Sequence, residues 1–156
     1  MDAVKHARDC ANQQDIANHL RTCDSQFIPT LSSRVNIDEY SNKIEEFAVT
    51  FEAWFEAELV GLVAVYRNAA LSEAFITSVS TSPGFRNMGI GYRLLSEVIE
   101  FCHSSNISKI ELEVNNLSSA GISLYEKIGF QKSSLAENGI VKMNLVFKSF
   151  KEKYEQ

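Results

Sequence analysis

The sequence lacks the features that mark several large classes of protein. Its 156 residues contain no run of about 18 apolar residues, which a membrane helix needs, and the start, MDAVKHARDC, has no apolar segment like that of a signal peptide. There is no internal repeat and no linker rich in proline, glycine or serine. The composition, 45% hydrophobic and 22% charged, is that of a globular protein. We therefore expect one cytoplasmic domain over residues 1–156, with a polar tail, residues 148–156, that frays, and no membrane partner.

Cysteine is scarce and unclustered. Cys10, Cys23 and Cys102 lie far apart, form no CxxC pair and have no cluster of histidines nearby. This spacing argues against both a disulfide framework and a zinc site. We expect buried, reduced thiols and no bound metal.

Acidic residues outnumber basic ones, which gives a net charge of −5, and no segment concentrates lysine and arginine. A nucleic-acid partner needs a basic face, so none is expected. Carboxylates, by contrast, cluster between residues 38 and 58 around a single lysine, Lys43. The cluster is typical of a solvated surface, and the alternative is a surface that attracts a cationic substrate. Its members are Asp38, Glu39, Glu45, Glu46, Glu52, Glu56 and Glu58.

The hydrophobic period changes repeatedly along the chain and divides it into strands and helices. Residues 47–55 alternate, with Phe51 on the apolar face and Glu52 on the polar face, which predicts a half-buried strand. The runs LVGLVAVY and AFITSVSTS follow as antiparallel partners. Helical spacing is clear in residues 90–103, and Asn36 or Asp38 is expected to cap an earlier helix. The order of elements is β-α-α-β-β-β-α-β-α-β-β.

The segment RNMGIG, residues 86–91, joins the strand AFITSVSTS to the long helix. Unpaired N–H groups and the positive helix end converge at such a junction, and glycine lets the backbone approach an anion. A pyrophosphate fits this arrangement, and a plain turn fits it equally well. The G-x-G-x-x-G pattern of dinucleotide folds and the G-x-x-x-x-G-K-[ST] pattern of P-loops are both absent, which argues against NAD, flavin, ATP and GTP.

A second segment, LEVNNLSSAGISLYEKIGF, gives the loop its context. Together the two segments resemble the GNAT superfamily of N-acetyltransferases, in which V-x-P-x-x-[RQ]-x-x-G-x-[GA] opens a long helix and a later short helix ends in LYEKLGF. Here these motifs are TSPGFRNMGIG, residues 81–91, and LYEKIGF, residues 124–130. The resemblance covers nearly the whole chain, least clearly its first thirty residues. It implies a GNAT-like α/β (α+β) fold with a mixed, mostly antiparallel central sheet and helices on both faces.

The resemblance also implies an acetyl-CoA site in a V-shaped cleft between the strand ending near Thr81 and the strand KIELEV. Main-chain groups of Val79, Ser80 and Thr81 would pair with the pantetheine arm. Ser118 stands where the family often has an asparagine that touches the cofactor, and we expect it to cap the short helix. The pyrophosphate would bind the backbone amides of the loop: Arg86, Asn87, Met88, Gly89, Ile90 and Gly91. Asn87 and Met88 depart from relatives that carry a second basic or glycine residue there.

Acetyl transfer to an amine needs an uncharged nucleophile, a stabilised carbonyl oxygen and a protonated leaving thiolate. Tyr125 coincides with the family's tyrosine and is the predicted acid. Glu73 and Glu113 are candidates for the base, although each also fits a solvated or structural position. Trp54 could line an acceptor pocket or be a partly covered surface aromatic. The histidines, His6, His19 and His103, lie outside both motifs.

These observations predict an acetyl-CoA-dependent N-acetyltransferase that acts by direct transfer on a primary amine, most simply that of a small molecule. No cysteine lies in either motif, which agrees with direct transfer. Two alternatives stay open: a catalytically inactive acyl-CoA-binding module with a regulatory or assembly role, and an α/β protein that binds another pyrophosphate. Dimerisation is common in such folds, so a homodimer is compatible with the sequence.

Overall fold

The structure is a computed structural model that describes residues 3–134 and 137–148. The predicted frayed tail lies outside the described residues, apart from Lys148. The predicted element order is confirmed, and the elements are β1 Lys5–Arg8, α1 Gln13–Cys23, α2 Ile37–Phe47, β2 Val49–Phe55, β3 Glu58–Asn68, β4 Glu73–Thr81, α3 Ile90–Ser104, β5 Lys109–Asn115, α4 Ser119–Ile128, β6 Gln131–Lys132 and β7 Ile140–Val146. Within these residues, no helix is both long and apolar enough to cross a membrane.

The strands form one seven-stranded sheet in the order β1-β2-β3-β4-β5-β7-β6. Every neighbouring pair is antiparallel except β4 and β5, which are parallel. One apolar core lies between the sheet and helices α3 and α4, and a second lies between β3 and helices α1 and α2. This confirms the predicted mixed, mostly antiparallel sheet with helices on both faces.

Local signals in the sequence account for the helix ends. Asn12 caps α1 by accepting from the Asp15 N–H at 2.9 Å, and the Asp15 carboxylate accepts from the Asn12 N–H at 3.0 Å, which completes a capping box. Asn36, one of the two predicted residues, caps α2 by accepting from the Glu39 N–H. Gly129 ends α4 with φ of 123°, a value that favours glycine.

The polar face of β2 differs from the prediction, because helices cover both faces of this strand. Glu52 belongs to no solvated surface: it is fully buried and accepts hydrogen bonds from the N–H groups of Cys10 and Ala11 at 3.1 and 3.0 Å. The Thr50 hydroxyl and the Trp54 indole also donate to it, at 2.6 and 2.9 Å. Trp54 packs against the core beneath α1 and α2, so its role there is structural.

The cysteine prediction holds for two of the three residues. Cys23 and Cys102 are buried and free, whereas Cys10 is exposed. Burial raises the pKa of both buried thiols to about 11, which keeps them protonated at neutral pH.

Candidate active site

The sheet opens between β4 and β5. Their parallel pairing runs from Glu73 opposite Lys109 to Ile76 opposite Leu112 and stops there. Beyond that point β4 continues to Thr81 with only β3 beside it, while β5 continues beside β7. The two strands therefore border a gap, which corresponds to the V-shaped cleft expected from the sequence.

The backbone of β4 presents hydrogen-bonding groups to this gap. In an antiparallel ladder the two main-chain groups of a residue point to one side, and the side alternates along the strand. Ser82 donates its N–H to the Val60 carbonyl of β3 at 2.8 Å, so the main chain of Ser80 also faces β3. Val79 and Thr81 therefore face the gap. This corrects the prediction that Ser80 offers main-chain groups to a pantetheine arm.

The glycine loop lies at the open end of the gap. Asn87 and Gly89 both have positive φ, 64° and 77°, and Gly89 is the N-cap residue of α3. The first hydrogen bond of the helix runs from the Arg93 N–H to the Gly89 carbonyl at 3.0 Å. In the described part of the chain, the N–H groups from Arg86 to Tyr92 have no acceptor. These groups and the positive end of α3 form a place for an anion.

Two glycines set the position of this helix end. A Cβ at Gly61 on β3 would lie only 2.7 Å from the Ile90 side chain, so glycine allows α3 to begin against the sheet. Gly91 does not have a positive φ; a Cβ there would lie 3.3 Å from the Leu124 side chain of α4. Gly91 is therefore explained by the close packing of α3 against α4. The same packing brings the glycine loop motif and the LYEKIGF motif into contact.

Tyr125 follows Leu124 on α4 and packs under the far side of the gap. It is 9% exposed, and its ring meets Phe130 edge to face with centroids 6.2 Å apart. A Cβ at Gly121 would lie within 3.7 Å of both the Tyr125 ring and the Val114 side chain of β5, which places the ring beside the part of β5 that extends past its last pairing with β4. Burial raises the pKa of the Tyr125 phenol to about 12. The phenol therefore stays protonated at neutral pH.

The two candidate bases differ in position. Glu113 lies on β5 one residue beyond the last pairing with β4, exposed and on the face opposite to Leu112 and Val114. Glu73 lies three residues before the opening, about 10 Å along the strand, and its carboxylate is bound to Lys109 at 3.2 Å. The structure therefore brings Glu113 to the gap and keeps Glu73 away from it, which removes Glu73 as a candidate base.

Ser118 occupies the N-cap position of α4, but its side chain makes no capping hydrogen bond within the described residues. The predicted capping role is wrong because another residue organises this turn. The Asn115 side chain accepts from the Leu117 N–H, and the Asn115 carbonyl accepts from the Ser118 N–H, both at 2.9 Å.

His19 is a residue whose position the sequence did not reveal. It is 2% exposed, and its Nδ1 lies 3.1 Å from the Leu59 carbonyl while its Nε2 lies 2.8 Å from the Ser80 hydroxyl. Burial lowers the pKa of His19 to about 4. The only sequence signal was its position on the apolar side of α1, near Ile16 and Leu20.

Comparison with known proteins agrees with this geometry. The model of the acetyltransferase (GNAT) family matches residues 14–130. A probable N-acetyltransferase, camello of Xenopus tropicalis, is 30% identical over 96 residues, which cover 61% of this chain and 44% of that protein. The ribosomal protein bS18 alanine N-acetyltransferase of Escherichia coli K12 is 29% identical over 68 residues, covering 44% of this chain and 46% of that protein. The chain thus spans about half the length of these curated relatives.

Solved structures show the same fold. The Escherichia coli ribosomal-protein-S18-alanine N-acetyltransferase has a TM-score of 0.73 at 16% identity, covering 94% of each chain. A GNAT family acetyltransferase from Elizabethkingia anophelis, solved with acetyl-CoA bound, has a TM-score of 0.70 at 19% identity, covering 94% of this chain and 100% of that one. At these identities the likeness establishes the fold. Since the family model matches three quarters of the residues, the chain belongs to the acetyltransferase (GNAT) family.

Proposed function

We propose that this protein transfers an acetyl group from acetyl-CoA to a primary amine by direct attack on the thioester. The observation that carries the proposal is the gap between β4 and β5. Val79 and Thr81 border it on one side, Glu113 and Tyr125 lie at its other side on opposite faces of the sheet, and the glycine loop lies at its open end.

The groups around the gap fit the parts of acetyl-CoA. The unpaired N–H groups from Arg86 to Tyr92 suit a pyrophosphate, and the gap-side main chain of Val79 and Thr81 suits the amides of a pantetheine arm, which would add to β4 like a strand. Acetyl-CoA supplies the acyl group as an activated thioester. A neighbour from Thermoplasma acidophilum, solved in complex with coenzyme A, has a TM-score of 0.71 at 15% identity, which supports the choice of ligand.

Glu113 is the proposed base. Its carboxylate is on the exposed face of β5, where an amine can approach the gap without crossing the core beneath α3. An ammonium must lose a proton before it attacks, and Glu113 would accept that proton directly or through a water molecule. The carboxylate of Glu111, on the same face, is instead bound to Lys109 at 3.2 Å.

Tyr125 is the proposed donor to the leaving sulfur. A pKa of about 12 keeps its hydroxyl protonated, and it also makes the phenol a weaker acid than a thiol of pKa about 8.5. We therefore assign Tyr125 to donating a hydrogen bond to the developing thiolate; the proton that converts this thiolate to the thiol comes from water as CoA leaves the gap. Glu113 and Tyr125 act from opposite faces, so removal of the amine proton and hydrogen bonding to the sulfur need not share a path.

For the acceptor we propose a small cationic amine. A shallow cavity of about 160 Å³ lies where β4 and β5 are still paired, with Glu73 and Glu111 in its lining, so it is no part of the proposed acceptor site. Six of the seven carboxylates clustered between residues 38 and 58 are exposed, which supports attraction of a cation. A cytoplasmic location and a homodimer stay predictions from the sequence.

Release of the CoA thiol from acetyl-CoA in the presence of a panel of primary amines tests the proposal. We expect amine-dependent release, and we expect Glu113→Gln to lower kcat about 100-fold. The matched control is Glu111→Gln, two residues earlier on the same face, which should stay within about threefold of the wild type. Binding of acetyl-CoA without release for any amine would instead indicate a catalytically inactive module.

A further inference from the structure

The half of β4 that borders the gap has little support from neighbouring strands. From Thr77 to Thr81 the strand has a hydrogen-bonded neighbour on one side only, yet Val79 and Thr81 must keep a fixed direction if they are to bind a ligand. A strand that is paired on one side only is less constrained, and it twists more readily than a central strand. Two side chains from the helices on one face of the sheet contact this part of β4.

His19 of α1 is the first of these. The Leu59 carbonyl can only accept, so the Nδ1 of His19 carries the proton and donates to it at 3.1 Å. Nε2 is then an acceptor, and the Ser80 hydroxyl donates to it at 2.8 Å. The imidazole thus bridges β3 and β4 through both ring nitrogens, at the residue between Val79 and Thr81. Its lowered pKa, caused by burial, preserves the neutral form that this pattern requires.

Tyr40 of α2 is the second. Its hydroxyl lies 2.8 Å from the Thr77 carbonyl and 2.7 Å from the Thr77 hydroxyl. Since the carbonyl can only accept, Tyr40 donates to it and the Thr77 hydroxyl donates to Tyr40. Thr77 is the extra residue of a β-bulge, because Val65 pairs with Ile76 while Ala64 pairs with Ser78. Tyr40 therefore holds the residue at which β4 leaves β5.

We propose that His19 and Tyr40 are positioning residues that fix the unpaired half of β4 in the direction required for acetyl transfer. This inference rests on the proposed function of the gap. The two residues act at different points: His19 holds the segment that faces the pantetheine arm, and Tyr40 holds the bulge, which lies across the gap from Glu113. Loss of the His19 contact with Ser80 therefore weakens acetyl-CoA binding, and loss of the Tyr40 contact with Thr77 slows the chemical step.

The binding arm of the test uses Ser80→Ala and His19→Gln, with Tm measured for each. Removal of one buried hydrogen bond should raise the KM for acetyl-CoA and its Kd by calorimetry about tenfold, with kcat within about twofold. The matched control is Ser78→Ala, because Ser78 is equally buried on the same face and its hydroxyl has no partner among residues 3–134 and 137–148. Ser78→Ala should leave both constants unchanged.

The chemical arm uses Tyr40→Phe, which keeps the ring and removes the hydroxyl. We expect kcat to fall about tenfold while the KM for acetyl-CoA changes less than twofold. In the binding arm, adding Ser80→Ala to His19→Gln should change the KM for acetyl-CoA little further, since His19→Gln already breaks the bond to Ser80. If His19→Gln lowers Tm, the KM and Kd of Ser80→Ala alone still test the binding role, because this variant removes only one hydroxyl group.

The outcomes separate the two proposals. If the wild type neither binds acetyl-CoA nor releases CoA thiol with any amine, the proposed function of the gap is wrong. If the wild type turns over while Ser80→Ala keeps the wild-type KM and Kd, or Tyr40→Phe keeps the wild-type kcat, the positioning role is wrong and the proposed function stands.

Discussion

Acidification should lower the free energy of unfolding through His19, by an amount set by the lowered pKa of this buried imidazole. Burial lowers the pKa of this imidazole from 6.5 to about 4 in the folded state, while in the unfolded chain it returns to about 6.5. As the pH falls from 6.5 towards 4, His19 is protonated in the unfolded state but stays neutral in the folded state. Stability is therefore complete above pH 6.5 and is lost towards pH 4.

The expected loss is measurable. A difference of about 2.5 pKa units corresponds to about 3 kcal/mol in full, of which about 2 kcal/mol appears between pH 7 and pH 5. Urea unfolding followed by circular dichroism at the two pH values gives the free energy of unfolding directly. Burial also lowers the pKa of His6, so the total for the wild type includes a second contribution of the same sign.

Comparison with His19→Gln isolates the contribution of His19. The variant cannot titrate at this position, so its free energy of unfolding should change about 2 kcal/mol less than that of the wild type between pH 7 and pH 5. Equal losses in the wild type and His19→Gln would refute the account of a buried, neutral imidazole.

Three further predictions follow from the site and the core. Tyr125→Phe should lower kcat about 100-fold with the Kd of acetyl-CoA unchanged; an unchanged kcat at saturating amine would remove Tyr125 from the mechanism. Gly61→Ala should cost about 1–3 kcal/mol in urea unfolding and weaken acetyl-CoA binding, because its Cβ would meet Ile90 at 2.7 Å and displace the start of α3; wild-type affinity in a destabilised variant would contradict this link. Glu52→Gln should cost about 2–3 kcal/mol, because a neutral amide leaves buried donors unsatisfied, whereas exposed Glu46→Gln should have little effect; similar urea midpoints for the two would contradict the buried carboxylate.

The fold could be predicted from the sequence because its signals are local. Alternation in residues 47–55 and helical spacing after RNMGIG each lie within one element, and Asn36 and Gly129 mark helix ends by their own chemistry. The error at Glu52 has a physical cause. A polar residue in an alternating strand usually faces solvent, but two donors from the turn between β1 and α1 and two from β2 allow this carboxylate to be buried.

The site was less predictable because its groups meet only in three dimensions. The two motifs predicted the loop and Tyr125 as site residues, and these roles stay predictions; the choice between Glu73 and Glu113 depends on where β4 and β5 separate, which no local pattern reports. His19 was missed for the same reason: it lies 61 residues from Ser80 along the chain, and a single histidine on an apolar helix face carries no signal for its partner.

The central claim is that acetyl-CoA binds along the unpaired edge of β4, and amide hydrogen exchange of the isotope-labelled protein by NMR tests it most directly. Without ligand, Ser80 should already be protected by β3, while Val79 and Thr81 should exchange faster. Saturating acetyl-CoA should slow exchange at Val79 and Thr81 at least about tenfold and leave Ser80 little changed. Unchanged exchange at Val79 and Thr81, in a sample that calorimetry shows to be saturated with acetyl-CoA, would contradict the account.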